Sequence, residues 1–460
     1  MTDDIGVPAN GFANNGLRGR SPQDYQLPLS IIDGIDINGP EDLNSKSISA
    51  ILNAFLRTNF ISVKTIKVEI IEAGVLSLCL DISLQYESMQ DGLLVPDGLV
   101  AKIPRKELPL PHMMQVEKAF YLHHAKKLVE EFSIPFMIPQ AVYCTDKMII
   151  LERLRGDWLS YSCVQGAPEE DMDECIRRLA MFHARCWVID SDQHAINKDD
   201  LLSHHPGIGA SLDGHTKEQY FPLFCEGYIQ GLPKTITESQ KDSLRHICTH
   251  MCQRRVIREV HDFVQTIEAG GKIAKSTLIH GDFHLANIMF RKNGVDQDTK
   301  CTKFCLLDWA TCGIGNPLRD LAFFTIICKD VEDYAQTTEL VRFYHNTLLA
   351  AASTNTSHLE EIMSLEECFR HFRYCLLNQL ALLICYDNIS KQVIDSYPDS
   401  KARNVKKEHF DKVNERCVKA VIATWCTQEA EQELQSFSMK TYEDKKAEED
   451  RAKTPFIPII

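Results

Sequence analysis

The spacing of apolar positions changes near residue 155, and with it the kind of element the chain predicts. Ile48, Ile51, Leu52, Phe55 and Leu56 recur at i, i+3 and i+4, which predicts an amphipathic helix capped by Ser45 or Ser47 and ending before Asn59. From Val63 to Tyr86, branched apolar and polar residues alternate on either side of Glu72-Ala73-Gly74, as two antiparallel strands joined by a tight turn would. A third strand is expected over Gly98 to Ile103 and a helix from about Pro111 to Glu131, followed by strands around Gln140 to Cys144 and Met148 to Leu154. Strands, then a helix, then strands make an α+β unit.

Beyond Leu154 the period becomes helical. Asp173 to Trp187 places Ile176, Leu179, Ala180, His183 and Trp187 on one face. Two more helices are expected within Ser239 to Thr266, and long ones over Val331 to Ala351, Ser364 to Tyr386 and Glu408 to Ser436. One insert, Leu278 to Leu307, reads as β-structure. Residues 1–26 are rich in Gly, Asn, Asp and Pro without periodicity and read as a disordered tail. The expected organisation is that tail, a strand-rich unit over 27–154, a helical unit over 155–436 and a charged tail over 437–460.

Composition narrows the function. At 460 residues, 44% hydrophobic, the chain is long enough for two or three packed units. A formal charge of -14 repels phosphate backbones and anionic membranes, so nucleic acid is not an expected partner. The acidic start carries neither a signal nor a transit pattern, which predicts a cytoplasmic protein. The strongest apolar stretch, Tyr374 to Tyr386, is broken by Asn378 and Gln379 and falls short of the roughly 20 residues of a membrane span. The 17 cysteines are expected as free thiols, most of them small core hydrophobes. His246, Cys248, His250 and Cys252 form two i,i+4 pairs on opposite sides of a helix, an arrangement that cannot close on one metal.

The β-like insert carries the chemistry. It reads Leu278-Ile-His280-Gly-Asp282-Phe-His284-Leu-Ala-Asn287, then a polar turn, then Leu307-Asp308-Trp309. Asp282 to Asn287 has the spacing of the catalytic loop H-R-D-x-x-x-x-N of kinases, and Asp308 falls where the metal-binding Asp of D-F-G would. Phosphoryl transfer requires in-line placement and compensation of charge. Asp282 supplies a base for the attacking hydroxyl, while Asn287 and Asp308 supply oxygen ligands for Mg²⁺ beside the phosphates of ATP. Paired carboxylates repel without a cation, so metal dependence is expected.

His280-Gly-Asp282-x4-Asn287, Leu307-Asp308-Trp309 and Gly315-Asn-Pro-Leu-Arg-Asp320-Leu-Ala together resemble the signature of the aminoglycoside phosphotransferase and choline-kinase-like superfamily, which includes an ecdysteroid-kinase-like branch. The resemblance covers roughly residues 45 to 390. It implies a two-lobed, protein-kinase-like fold with a small antiparallel N-lobe and a larger, mostly helical C-lobe. Val100-Ala-Lys102-Ile resembles the strand whose Lys touches the nucleotide phosphates, Glu117 the helical partner of that Lys, and Ile150-Leu-Glu152-Arg-Leu154 the hinge. By the same resemblance Asp320 braces the catalytic loop; taken alone it reads as a helix N-cap. Only Gly74 stands where protein kinases carry G-x-G-x-x-G, so phosphate contact there would fall to the backbone of Ala73 to Leu76 and the Ser77 hydroxyl. Trp309-Ala310 replaces the Phe-Gln usual in the ecdysteroid branch and tilts the reading toward the general phosphotransferases.

The expected activity is therefore transfer of the γ-phosphate of ATP or GTP to a hydroxyl of a small-molecule acceptor, with a nucleotide-binding pseudokinase as the alternative. A protein kinase is disfavoured: no Ala-Pro-Glu follows Asp308, and Asp320 comes twelve residues later, too soon for a long activation loop. His280 is expected to hold the loop, His183 to be a core residue, and His284 is left open between substrate and solvent. Glu366, Glu367 and Asp387 read as solvated helix positions. Amino-alcohols, aminosugars and sterols all remain candidate acceptors, because specificity lies in pocket shape.

Overall fold

The computed structural model describes residues 26–30, 32, 37, 39–71, 77–89, 93, 95–104, 111–154, 158–187, 214–253, 256–264, 276–291, 304–352, 363–395, 399–430 and 432–433. The expected tails (Gln26 excepted), the turn with Gly74, and the polar turn after Arg291 lie outside these residues. The chain divides into two units. One takes Met1–Glu131, Ile138–Trp158 and Arg291–Lys303; the other takes Phe132–Met137, Leu159–Phe290 and Phe304–Ile460.

The first unit is built on a sheet. Helix α1 (Ser45–Leu56) is capped by Asn44, whose side chain accepts the Ser47 amide while Ser47 Oγ accepts the Asn44 amide in return. The expected serine cap is thus corrected: Asn44, a residue that caps as well as Ser, takes the end, and Ser47 is its reciprocal partner at N3. Ile48, Ile51 and Leu52 are fully buried beneath the sheet, each stabilising the unit by about 2 kcal/mol. Strands β1 (Ser62–Ile71), β2 (Ser77–Ser88), β3 (Gly98–Pro104), β4 (Ala141–Cys144) and β5 (Ile149–Glu152) form an antiparallel sheet in the order β1-β2-β3-β5-β4. On β2 and β3 the period-2 pattern turns Leu80, Ile82, Leu99 and Ala101 into the core shared with α1, and Ile150 of β5 joins them, while β4 is buried throughout. The expected single helix after β3 is α2 (Pro111–Ala119), a π-helical turn (Phe120–His124) and α3 (Ala125–Glu130).

The second unit, which resumes at Leu159 within the two-residue strand β6 (Trp158–Leu159), is mostly helical. Its helices are α4 (Glu169–Arg185), α5 (Gly214–Gln230), α6 (Glu238–Met251), α7 (Val256–Val264), α8 (Leu318–Cys328), α9 (Tyr334–Ala352), α10 (Leu365–Asp395) and α11 (Ser400–Trp425). The sequence pattern overlooks α5, because Pro222 interrupts it, yet Phe221, Cys225, Tyr228 and Ile229 are buried. Helix α11 starts eight residues before the expected Glu408, where Asp399 Oδ1 accepts the Lys401 amide. Among these helices sit the antiparallel pairs β7 (Thr277–Ile279) with β10 (Gly313–Gly315) and β8 (Ile288–Arg291) with β9 (Phe304–Leu306). No helix of the described residues is long and apolar enough to cross a membrane. All sixteen described cysteines are free.

Candidate active site

The loop between β7 and β8 is held from below by one carboxylate. Asp320, fully buried, accepts the backbone amides of His280 at 2.7 Å and Gly281 at 2.8 Å. It lies in the first turn of α8, whose N-cap is Pro317, so the N-cap reading is corrected: its oxygens serve the loop and not their own helix. His183 Nε2 approaches the same carboxylate at 3.3 Å, and the Tyr344 hydroxyl donates to His183 Nδ1 at 2.7 Å. Burial alone would raise Asp320, but the bond from His183 and the loop amides hold it below the usual carboxylate range.

His280 is also buried, and its ring spans the loop. Nδ1 accepts the Asp282 amide at 3.3 Å while Nε2 donates to the Leu307 carbonyl at 2.9 Å, which fixes a neutral tautomer. Burial pushes its pKa down, in keeping with that role. Thr311 Oγ donates to the His280 carbonyl at 2.9 Å. Between them Gly281 takes a left-handed backbone with φ of 81°, and a Cβ there would lie 2.3 Å from the Thr311 carbonyl oxygen. Gly281→Ala is therefore expected to destabilise the loop by about 2 kcal/mol or more and to lower turnover at least tenfold. Denaturant unfolding with parallel rate measurements checks this, and wild-type behaviour in both would refute it.

Asp282 projects from this braced loop. Asn287, at the end of a 3₁₀ turn (Leu285–Asn287), donates its side-chain amide to the Asp282 carbonyl and to Oδ2, each at 3.0 Å. His284 Nε2 stands 3.4 Å from Oδ1. Burial would raise the Asp282 carboxyl, but the positive His284 beside it and the Asn287 amide hold it down to about 2. Burial would lower His284, and the Asp282 charge instead lifts it to about 10. The Asp282 side chain keeps 24% of its surface exposed, so a hydroxyl can reach it.

Asp308 follows β9 by two residues with φ of 60°, a left-handed conformation that Asp tolerates better than most residues. Its neighbours pin it: the Leu307 amide donates to the Asn287 carbonyl at 2.8 Å, and the Trp309 ring is fully buried against His280 at 4.8 Å, Phe182 at 5.9 Å and Phe136 at 6.0 Å. Among the described residues no three His, Cys, Asp or Glu side chains converge as a metal cage. The amide oxygen of Asn287 and the carboxylate of Asp308 are hard oxygen donors, few enough to leave room for phosphate and water, which suits Mg²⁺.

In the first unit Lys102 of β3 meets Glu117 of α2 at 2.6 Å, with 12% and 1% of their side chains exposed. A lysine this buried keeps its charge only with such a partner. Ser77 opens β2 with Oγ 3.9 Å from Cys79 Sγ. Glu152 ends β5, its amide committed to the Gln140 carbonyl at 2.8 Å, and Leu154 follows two residues on. Gly74 lies outside the described residues.

The sequence left several contributors unmarked. His183 was read as core, and it is, but its bond to Asp320 links α4 to the loop. Nothing in the sequence marked Tyr344 or Thr311, each distant along the chain. Cys163 and Cys328 also escaped notice, although Cys163 Sγ lies 3.7 Å from His284 Nδ1. His284 faces Asp282 and Cys163.

Comparison with known proteins matches residues 74–355 to a family model described as the ecdysteroid kinase-like family. This overturns the tilt drawn from Trp309-Ala310; with its ring filling the core, the residue after Asp308 answers to packing. Human acyl-CoA dehydrogenase family member 11 is 26% identical over 240 residues, 50% of this chain and 25% of that protein. The chain spans about a quarter of the length of the curated relatives it matches. Among solved structures, a Plasmodium vivax ethanolamine kinase is similar at 12% identity and a TM-score of 0.42, over 85% of this chain and 95% of that one. An ADP-bound aminoglycoside phosphotransferase is similar at 14% identity and a TM-score of 0.37, over 77% and 94%.

Proposed function

The chain belongs to the ecdysteroid kinase-like family, and from that premise we propose that it transfers the γ-phosphate of ATP to a hydroxyl of a small acceptor, with Asp282 as the base. The observation that carries this reading is the Asn287 amide bonded to both the carbonyl and the carboxylate of Asp282. One side chain thereby aims the base and leaves its own amide oxygen available for a cation. Mg²⁺, held by Asn287 and Asp308, would offset charge on the nucleotide's β- and γ-phosphates.

A carboxylate held near 2 is a weak base, and the reaction suits one. In a loose transition state little proton transfer is needed until the new O–P bond is well formed. Asp282 therefore orients the acceptor hydroxyl first and takes its proton late. Lys102, kept charged by Glu117, is assigned to the α- and β-phosphates. Asp320 and His280 position the loop without touching substrate.

Lys102→Met should weaken nucleotide binding roughly 10- to 100-fold, the worth of a charge-assisted contact. Calorimetry with Mg·ATP measures it, and unchanged affinity would remove Lys102 from the assignment. The reading as a whole is tested by ATP consumption with Mg²⁺ against choline-like, aminosugar and steroid-hydroxyl acceptors, with and without a chelator. Acceptor-dependent, metal-dependent turnover supports it. Metal-dependent binding with no turnover across the panel would favour a nucleotide-binding pseudokinase, and no binding at all would sink both.

A further inference from the structure

Behind the catalytic loop two thiols face each other. Cys328, the last residue of α8, donates from Sγ to the Sγ of Cys163 at 4.0 Å. Each also touches the loop: Cys163 Sγ meets His284 Nδ1 at 3.7 Å, and Cys328 Sγ accepts the Leu285 amide at 3.3 Å. His284 and Leu285 lie between Asp282 and Asn287 in sequence, and His284 Nε2 reaches Asp282 itself. We propose that Cys163 and Cys328 are an oxidation site for hydroperoxides, and that the disulfide they form withdraws both supports from the catalytic loop.

The sulfurs must approach from 4.0 Å to about 2.05 Å; Cys163 sits in the turn between β6 and α4, and Cys328 is the C-terminal residue of α8. Arg416 of α11 holds the first of these by donating to the Cys163 carbonyl at 2.6 Å, and pairs with Asp330 at 3.1 Å. A cavity of about 540 Å³ reaches the pair from the Cys328 side, its lining including Cys328, Gly166, Met172, Lys329 and Arg416, while Cys163 itself keeps 6% of its surface exposed. Cys163 Sγ lies between the Cys328 thiol and the His284 ring, two groups placed to donate to a thiolate.

The chemistry balances in two steps. The Cys163 thiolate attacks one oxygen of the peroxide bond, which gives a sulfenic acid and releases the other oxygen as hydroxide or alkoxide. The Cys328 thiol then attacks that sulfur, the S–S bond forms, and the oxygen leaves as water with the thiol proton. The two sulfurs are oxidised and the peroxide is reduced. His284 then loses its sulfur partner and the Leu285 amide its acceptor.

The effect on turnover rests on the kinase reading; the effect on the loop does not. The full chain should be treated with hydrogen peroxide and then with dithiothreitol, with disulfide mapping by mass spectrometry and amide exchange of the peptide over 280–288. The expected result is a Cys163–Cys328 peptide, at least tenfold faster exchange in that peptide, at least tenfold lower turnover, and reversal of all three by the reductant. Cys328→Ser, which keeps an acceptor for Leu285, and Cys163→Ser should both abolish the response. Absence of that disulfide, a disulfide that leaves loop exchange unchanged, or an equal response in the serine variants would overturn the proposal. Should no acceptor support turnover, the exchange readout still decides it.

Discussion

Asp282→Asn lowers turnover by about 10²- to 10⁴-fold while Mg·ATP affinity stays within a few-fold of wild type. Asn fills the same volume and can still bond the Asn287 amide, so the loop keeps its shape. What disappears is a charged oxygen able to orient and finally accept the hydroxyl proton. Steady-state rates on a responsive acceptor, with nucleotide titrations alongside, measure the split. A variant within tenfold of wild type would move the base to another residue, and a parallel loss of affinity would make Asp282 a binding group.

Asp320→Ala should be the most destabilising single change near the site, costing about 3 to 5 kcal/mol. It leaves the amides of His280 and Gly281 and the His183 ring without their shared acceptor in a fully buried place. Urea unfolding followed by a probe in the second unit checks this, and a loss under 1 kcal/mol would refute it. Its acid dependence has a definite sign. The Asp320 carboxyl is depressed in the fold, so its contribution is present above the unfolded value near 3.9 and is lost as pH falls through the folded value. The acid-induced loss of stability below pH 4 should be shallower in the Ala variant.

The two units were legible in the sequence to different depths. Period-2 alternation on β2 and β3 and the α1 stripe fix the first unit's sheet because Leu80, Ile82, Leu99 and Ala101 share one buried face, which a slip of one residue would expose, whereas β4 is buried throughout. The loop carrying Asp282 was legible because Gly281, Asp282 and Asn287 are close in sequence and their spacing is dictated by local bonds. What escaped was contact at long range. Asp320 reads from its own neighbours only as a cap; the resemblance alone set it against the loop, on amides some forty residues earlier. Cys163 and Cys328, 165 positions apart, look like any other small core residues until their sulfurs are seen facing each other beside His284. Helix α5 was hidden by Pro222, since local propensity yields to the packing of Phe221 and Tyr228.

The π-helical turn Phe120–His124, on the helix that presents Glu117, bears on how relatives are aligned. Such a turn is an α-helix that has absorbed one surplus residue. Relatives lacking the surplus can close the helix smoothly, so a one-residue gap in their alignment to this chain belongs within 120–124. Placed upstream of Glu117, the same gap would turn the carboxylate about 100° around the helix axis and break its register with Lys102.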